Sequence, residues 1–153
     1  MAQFLLSEFN QPLISAIVAA LLAQAIKAVI ALVTGQEAPR AALIKAGGMP
    51  SSHSALALAL FASVLWDNGW QSPETGVAGI VAVIVIYDAA VIRRAIQEQT
   101  KALRMLLERS APDLLEEVWV PSSLGHTGSE VAAGMLMGVA VARAIYWFGS
   151  VRL

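Results

Sequence analysis

The feature that most constrains this chain is the gathering of its apolar residues into blocks about as long as a membrane-crossing helix. A helix spanning a hydrocarbon layer ~30 Å thick needs about 20 residues. Residues 12–33 form one such block, interrupted only by Ser15, Gln24 and Lys27, with Pro12 at its start, where proline is tolerated. Further blocks lie at 51–70, 76–92 and 130–151. Hydrophobic residues make up 58% of the 153 and charged residues 14%, against roughly 25% charged in an ordinary soluble domain. So few charges do not cover the surface of a small soluble protein. The expectation is an all-α integral membrane bundle of about four transmembrane helices, one membrane domain over 1–153. Glu8, the lack of Lys or Arg ahead of the first block and that block's length point to a retained helix rather than a cleaved signal.

Residues 93–110 are of another kind. Ile92, Ile96, Leu103, Leu106 and Leu107 fall at helical spacing, with most charges elsewhere, which predicts an amphipathic helix. It either continues the third block or lies on the membrane surface, and Pro112 ends it. Trp66, Trp70, Tyr146 and Trp147 suit interfacial helix ends. With four crossings, Arg40, Lys45, Arg93, Arg94, Lys101, Arg104 and Arg109 share one face, and only Arg152 and a snorkelling Arg143 share the face of the termini. The excess of positive charge places the first face in the cytoplasm. A net charge of −1 gives no reason to expect nucleic acid, and zero cysteines exclude disulfides, thiolate metal sites and cysteine nucleophiles.

Polar groups in membrane helices are costly and usually functional. Here four segments bring them to the same face. Lys27 lies toward that end of the first helix, and Gly47-Gly48-Met49-Pro50-Ser51-Ser52-His53-Ser54 opens the second. Asp88, Arg93 and Arg94 close the third, and Gly125-His126-Thr127-Gly128-Ser129-Glu130 opens the fourth. Both histidines therefore stand at helix N-termini, whose free N–H groups and positive dipole ends suit a phosphate.

Pro50-Ser51-Ser52-His53 resembles the Pro-Ser-Gly-His motif of the type 2 phosphatidic acid phosphatase and vanadium haloperoxidase superfamily. His126-Thr127-Gly128-Ser129-Glu130 is similar to its His-x-x-x-Asp. The wider pattern, including Tyr87-Asp88-Ala89-Ala90 with Arg93-Arg94, resembles the divergent bacterial and plastid branch, from Lys27 to about Gly138. The chain departs from the parent pattern in lacking an Arg-Pro partner for Lys27, in Ser52 and Glu130, and in Val120 at the position of an arginine.

The resemblance implies a lipid-phosphate phosphatase in a bacterial inner membrane or plastid membrane, with its site at the cytoplasmic side. His126 would attack phosphorus, Glu130 would hold its other ring nitrogen, and His53 would protonate the leaving alkoxide and then activate water. Lys27, Arg93, Arg94, Ser51 and Ser52 would hold the phosphate oxygens, with Asp88 orienting a cation. No metal or other cofactor is expected. The expected partners are a lipid phosphate, membrane lipids and a second copy of the chain. Plainer readings stand beside these. Thr127 and Glu130 have capping-box spacing, Ser51 and Ser52 suit N-caps, and Arg93 and Arg94 suit membrane anchors. A non-enzymatic protein binding or moving an anionic lipid or phosphate would use the same groups, and a structural membrane subunit would need them only as caps. Gly134 and Gly138 permit close helix contact within the chain or across a dimer.

Overall fold

A computed structural model describes residues 10–35, 48–114 and 125–150. The loop expectations at 36–47 and 115–124, with Arg40, Lys45 and Val120 among them, lie outside the described residues. Helix α1 spans Gln11–Thr34, α2 Ser52–Asn68, α3 Pro73–Tyr87, α4 Arg93–Ser110 and α5 Gly128–Ser150. A π-helical turn, Asp88–Ile92, joins α3 to α4.

Local chemistry sets the ends. The Asn10 side chain accepts from the Leu13 amide at 3.0 Å and Pro12 follows, so α1 starts there. It stops where Gly35 takes φ 63° and donates its N–H to the Ala31 carbonyl. Ser51 caps α2 through the Ser54 amide at 3.3 Å, and Ser72 caps α3 through the Thr75 amide at 3.1 Å.

The packing inverts that of a water-soluble bundle. The side α1 buries is a stripe of Ser15, Ala16, Ala19, Ala23, Lys27 and Ala31, and Ala55, Ala59, Ala62 and Ala142 complete the core. The large apolar residues point outward instead: Leu32 is 67% exposed, Val77 65% and Leu136 74%. In water such a surface would aggregate. In lipid, where apolar helices gain nothing by hiding from the solvent, small residues let backbones approach and large ones meet the tails. Together with the three helices α1, α3–α4 and α5, each long and apolar enough to cross a membrane, this makes the chain an integral membrane protein. Every regular element among the described residues is a helix.

Helix α2 is the exception in length and in position. Its 17 residues span ~25 Å at 1.5 Å per residue, and it packs against α1, α3 and α5. Three helices among the described residues are thus long and apolar enough to cross, and the shorter α2 is packed among them. Its Ser51 and Ala55 run beside Gly134 and Gly138 of α5, where any added Cβ would strike the Ser51 and Ala55 carbonyls. The two glycines therefore serve a contact inside the chain. At the far end of the bundle, Arg143 lies 5.8, 5.9 and 6.0 Å from the ring centres of Trp66, Tyr146 and Trp147, cation–π distances that hold its charge among the aromatic residues.

Helix α4 does not lie apart from α3. The two form a continuous 38-residue helix from Pro73 to Ser110, ~57 Å long and therefore well beyond a ~30 Å hydrocarbon layer.

Candidate functional site

The helix starts at one end of the bundle position the polar groups. Glu130 lies in the first turn of α5 and His126 two residues before that helix begins. The imidazole Nδ1 nevertheless reaches Glu130 Oε2 at 3.0 Å. An ionised carboxylate only accepts, so in the neutral imidazole the proton sits on Nδ1 and Nε2 keeps its lone pair. The same oxygen accepts from the Thr127 amide at 3.1 Å, while Thr127 Oγ1 accepts from the Glu130 amide at 3.3 Å. The capping box and the histidine contact are thus one arrangement, and the box aims the carboxylate at the ring.

His126 is buried, with 3% of its surface exposed. Burial pushes its imidazole below the ordinary range, the charges of Lys27 and Arg93 push the same way, and the bond to Glu130 opposes them. His53, one residue into α2, is exposed and feels the charges of Arg93, His126, Lys27 and Asp88. Lys27 is buried, continues the alanine stripe of α1 and interacts electrostatically with Glu130. Its Cδ stands 4.0 Å from the Cβ position of Gly48, whose φ of 81° turns the chain into the Pro-Ser-Ser-His segment. His53, His126, Lys27, Arg93, Asp88 and Glu130 therefore form one electrostatically linked group drawn from four segments.

The π-turn determines how the third segment contributes. In an α-helix, residues five apart point in different directions. The wider turn at Asp88–Ile92 brings Asp88 and Arg93 onto one side, and Arg93 Nε donates to Asp88 Oδ2 at 2.6 Å. Arg93 thereby belongs to the histidine group. Arg94 instead lines a cavity with Gln97, Glu98, Lys101 and the His126 segment.

Ser51 is fully buried, and its hydroxyl accepts from the Ser54 amide and, at 3.0 Å, from the Ser54 hydroxyl, which makes it a helix cap and a packing residue. Ser52 is also buried, in the first turn of α2. Among the described residues no group of three or more His, Asp or Glu is arranged to hold a metal ion.

One contributor, Gln97, was not singled out from the sequence. Gln97 Oε1 accepts from the Gly125 amide at 3.0 Å, tying the residue just ahead of His126 to α4. Gly125 lies so close to the Arg94 backbone that a Cβ would come within 2.8 Å of the Arg94 Cα. The signal for Gln97 was its place one helical turn beyond Arg93. Nothing in the sequence marked the partner of Gly125.

The chain is thus a helical membrane bundle that gathers two histidines, Glu130, the buried Lys27 and the Asp88–Arg93 pair at one end. Residues 9–141 match the Divergent PAP2 family, and the chain belongs to that family. It is 31% identical over 156 residues to a Bacillus subtilis (strain 168) protein named "Uncharacterized membrane protein YuiD", covering 91% of this chain and 96% of that one. No solved structure matches the chain.

Proposed function

We propose that this protein is a membrane phosphatase that hydrolyses a lipid phosphomonoester through a phosphohistidine. The observation that carries the reading is the 3.0 Å contact of His126 Nδ1 with Glu130 Oε2, which leaves Nε2 as the free nucleophile. Nε2 attacks phosphorus, the bond from phosphorus to the lipid oxygen breaks, and His53 gives its proton to the leaving alkoxide. Glu130 stabilises the positive charge that develops on the His126 ring. His53, now neutral, takes a proton from water as that water attacks phosphorus, releasing phosphate and restoring His126. Lys27 and Arg93 stabilise the charge on the phosphoryl oxygens. The Ser51 hydroxyl serves packing in this scheme, and Ser52 and the helix N-termini supply further donors.

The site lies at the helix ends, so a lipid presents its headgroup while its tails stay in the bilayer. The excess of cations on this face supports a cytoplasmic location. Pure protein in detergent, offered a panel of lipid phosphates, releases phosphate, and His126→Ala abolishes that release while the fold persists. Turnover by His126→Ala equal to that of the parent protein overturns the mechanism. Tight lipid-phosphate binding without turnover selects a binding or transport protein instead.

A further inference from the structure

The polar surface of α4 does not end at the histidine group. Arg94 and Lys101 are seven residues apart, ~10.5 Å along the helix and on nearly the same side of it. Between them lie Gln97 and Glu98. Together with Gly48, Gly125, His126, Thr127 and Glu130 they line a partly open cavity of about 240 Å³. It touches His126 at one end and runs two turns along the part of α4 that extends past the apolar length of α3. The lipid-facing grooves along α3 have different linings, with no member of the histidine group among them.

His126 is almost completely buried, yet breaking down a phosphohistidine requires water and liberates a phosphate that cannot leave through hydrocarbon. An opening lined by polar groups and touching His126 meets both needs. Its formal charges balance, Arg94 and Lys101 against Glu98 and Glu130, and Lys101 is itself paired with Glu98. Glu98 accepts from Lys101 Nζ at 3.0 Å, and Glu130 accepts from His126 and Thr127. Arg94 has no carboxylate partner among the described residues, so it is the lining cation left for an oxyanion.

We propose that this cavity is a second oxyanion site, in which Arg94 and Lys101 hold a phosphate group outside the His126, His53, Lys27 and Arg93 centre. The group is either the released inorganic phosphate or the phosphate of an incoming lipid headgroup. The inference rests on the phosphatase reading for its role in turnover, but the anion site itself does not require turnover.

The experiment is ³¹P NMR titration of the full chain in detergent with inorganic phosphate, paired with KM for a lipid phosphate. It compares the parent protein, Arg94→Ala with Lys101→Ala, and Lys101→Arg. Both side chains are exposed, so the variants are expected to fold, and Lys101→Arg retains the charge. The double variant weakens phosphate binding about tenfold, the loss of ~1.4 kcal/mol, and Lys101→Arg stays near the parent. Weakened binding with KM unchanged identifies released phosphate as the occupant, and a parallel rise in KM identifies the headgroup. Phosphate binding that is absent in the parent, or equal in the parent and the double variant, overturns the site. If no lipid phosphate is turned over while phosphate binding still depends on Arg94 and Lys101, the cavity stands and only the phosphatase reading fails.

Discussion

The amide of Ser51 donates to the carbonyl of Glu130 at 3.0 Å, so the segment that carries His53 and the segment that carries His126 are joined backbone to backbone. Gly134, one turn further along α5, has no side chain to hold the two helices apart. The relative position of the two histidines is thereby set by main-chain contact, which varies far less than side-chain contact.

The first prediction follows from that contact. Gly134→Ala places a methyl group against the Ser51 carbonyl and forces α2 and α5 apart, an overpacking cost of ~1–3 kcal/mol. Thermal unfolding in detergent records a lower Tm, and activity falls with it because the histidines separate. Gly76→Ala, which meets open space, leaves Tm within a degree or two, roughly the effect of a few tenths of a kcal/mol. Equal effects of the two substitutions would sink the explanation.

Glu130 and Thr127 share a cap but not a chemical role, so substitutions separate them. Thr127→Val removes the hydroxyl that caps the Glu130 amide and costs about 1 kcal/mol of stability, with kcat changed by only a few-fold. Glu130→Gln lowers kcat by roughly 10²–10⁴-fold, since the charge facing the His126 ring is gone. Should Thr127→Val impair kcat as much as Glu130→Gln, the carboxylate acts only as a cap.

The pH dependence follows from the burial of His126. An unfolded imidazole takes up its proton near 6.5, and the buried one does so only at lower pH. The neutral nucleophile therefore persists through 6.5, and the acid limb of kcat/KM lies below it. Removing the opposing influence of the carboxylate, in Glu130→Gln, moves that limb lower still. The same difference links to folding. The unfolded chain binds the extra proton first, so the stability from a neutral His126 is complete above 6.5 and is lost as pH falls through the folded value. A pH series of residual activity and Tm checks both signs, and an acid limb above 6.5 contradicts them.

In the proposed reaction Asp88 acts through Arg93, which it holds at 2.6 Å. Asp88→Asn weakens the hold on the guanidinium, and kcat/KM drops about tenfold, ~1.4 kcal/mol of transition-state stabilisation. In a double-mutant cycle with Arg93→Ala the two losses do not add, with a coupling of ~0.5–3 kcal/mol. Strict additivity would show that the 2.6 Å pair has no part in turnover.

Single cysteines report the orientation, since the chain has none of its own. Arg104→Cys, on α4 at the face of the site, resists an impermeant thiol reagent in intact cells and reacts once the membrane is opened. Gln71→Cys, in the turn between α2 and α3, behaves in the opposite way. Labelling of Arg104→Cys from outside reverses the assignment of faces.

Most of the site was legible because its residues are expensive to keep where they are. Lys27 in an apolar helix, and two histidines at helix starts, have few reasons to be in a membrane other than chemistry. The helical class was equally plain from the apolar blocks. The rest depended on geometry that spacing does not carry. Asp88 and Arg93 are five apart, a separation an α-helix would not pair, and no local residue preference announces the π-turn that pairs them. Arg93 and Arg94 are adjacent in sequence, so only the turn of the helix separates the one beside Asp88 from the one in the cavity. Whether 93–110 continued α3 was likewise open, because amphipathic spacing is the same in either arrangement. Gly134 and Gly138 fitted a dimer as well as an internal contact until their neighbours in α2 were known.

The shortness of α2 has a consequence for the bilayer itself. A central helix of 17 residues falls ~5 Å short of a ~30 Å hydrocarbon layer, and His53 stands at its very start. Hydrophobic mismatch of this kind is relieved by local thinning. A leaflet thinned over the site would let a lipid beside the protein ride at the depth of the histidines without being lifted from its neighbours. Reconstituted into vesicles of graded acyl-chain length, the protein should work best in the thinner membranes, with the tail-facing surfaces of α1, α3 and α5 marking how far the thinning spreads.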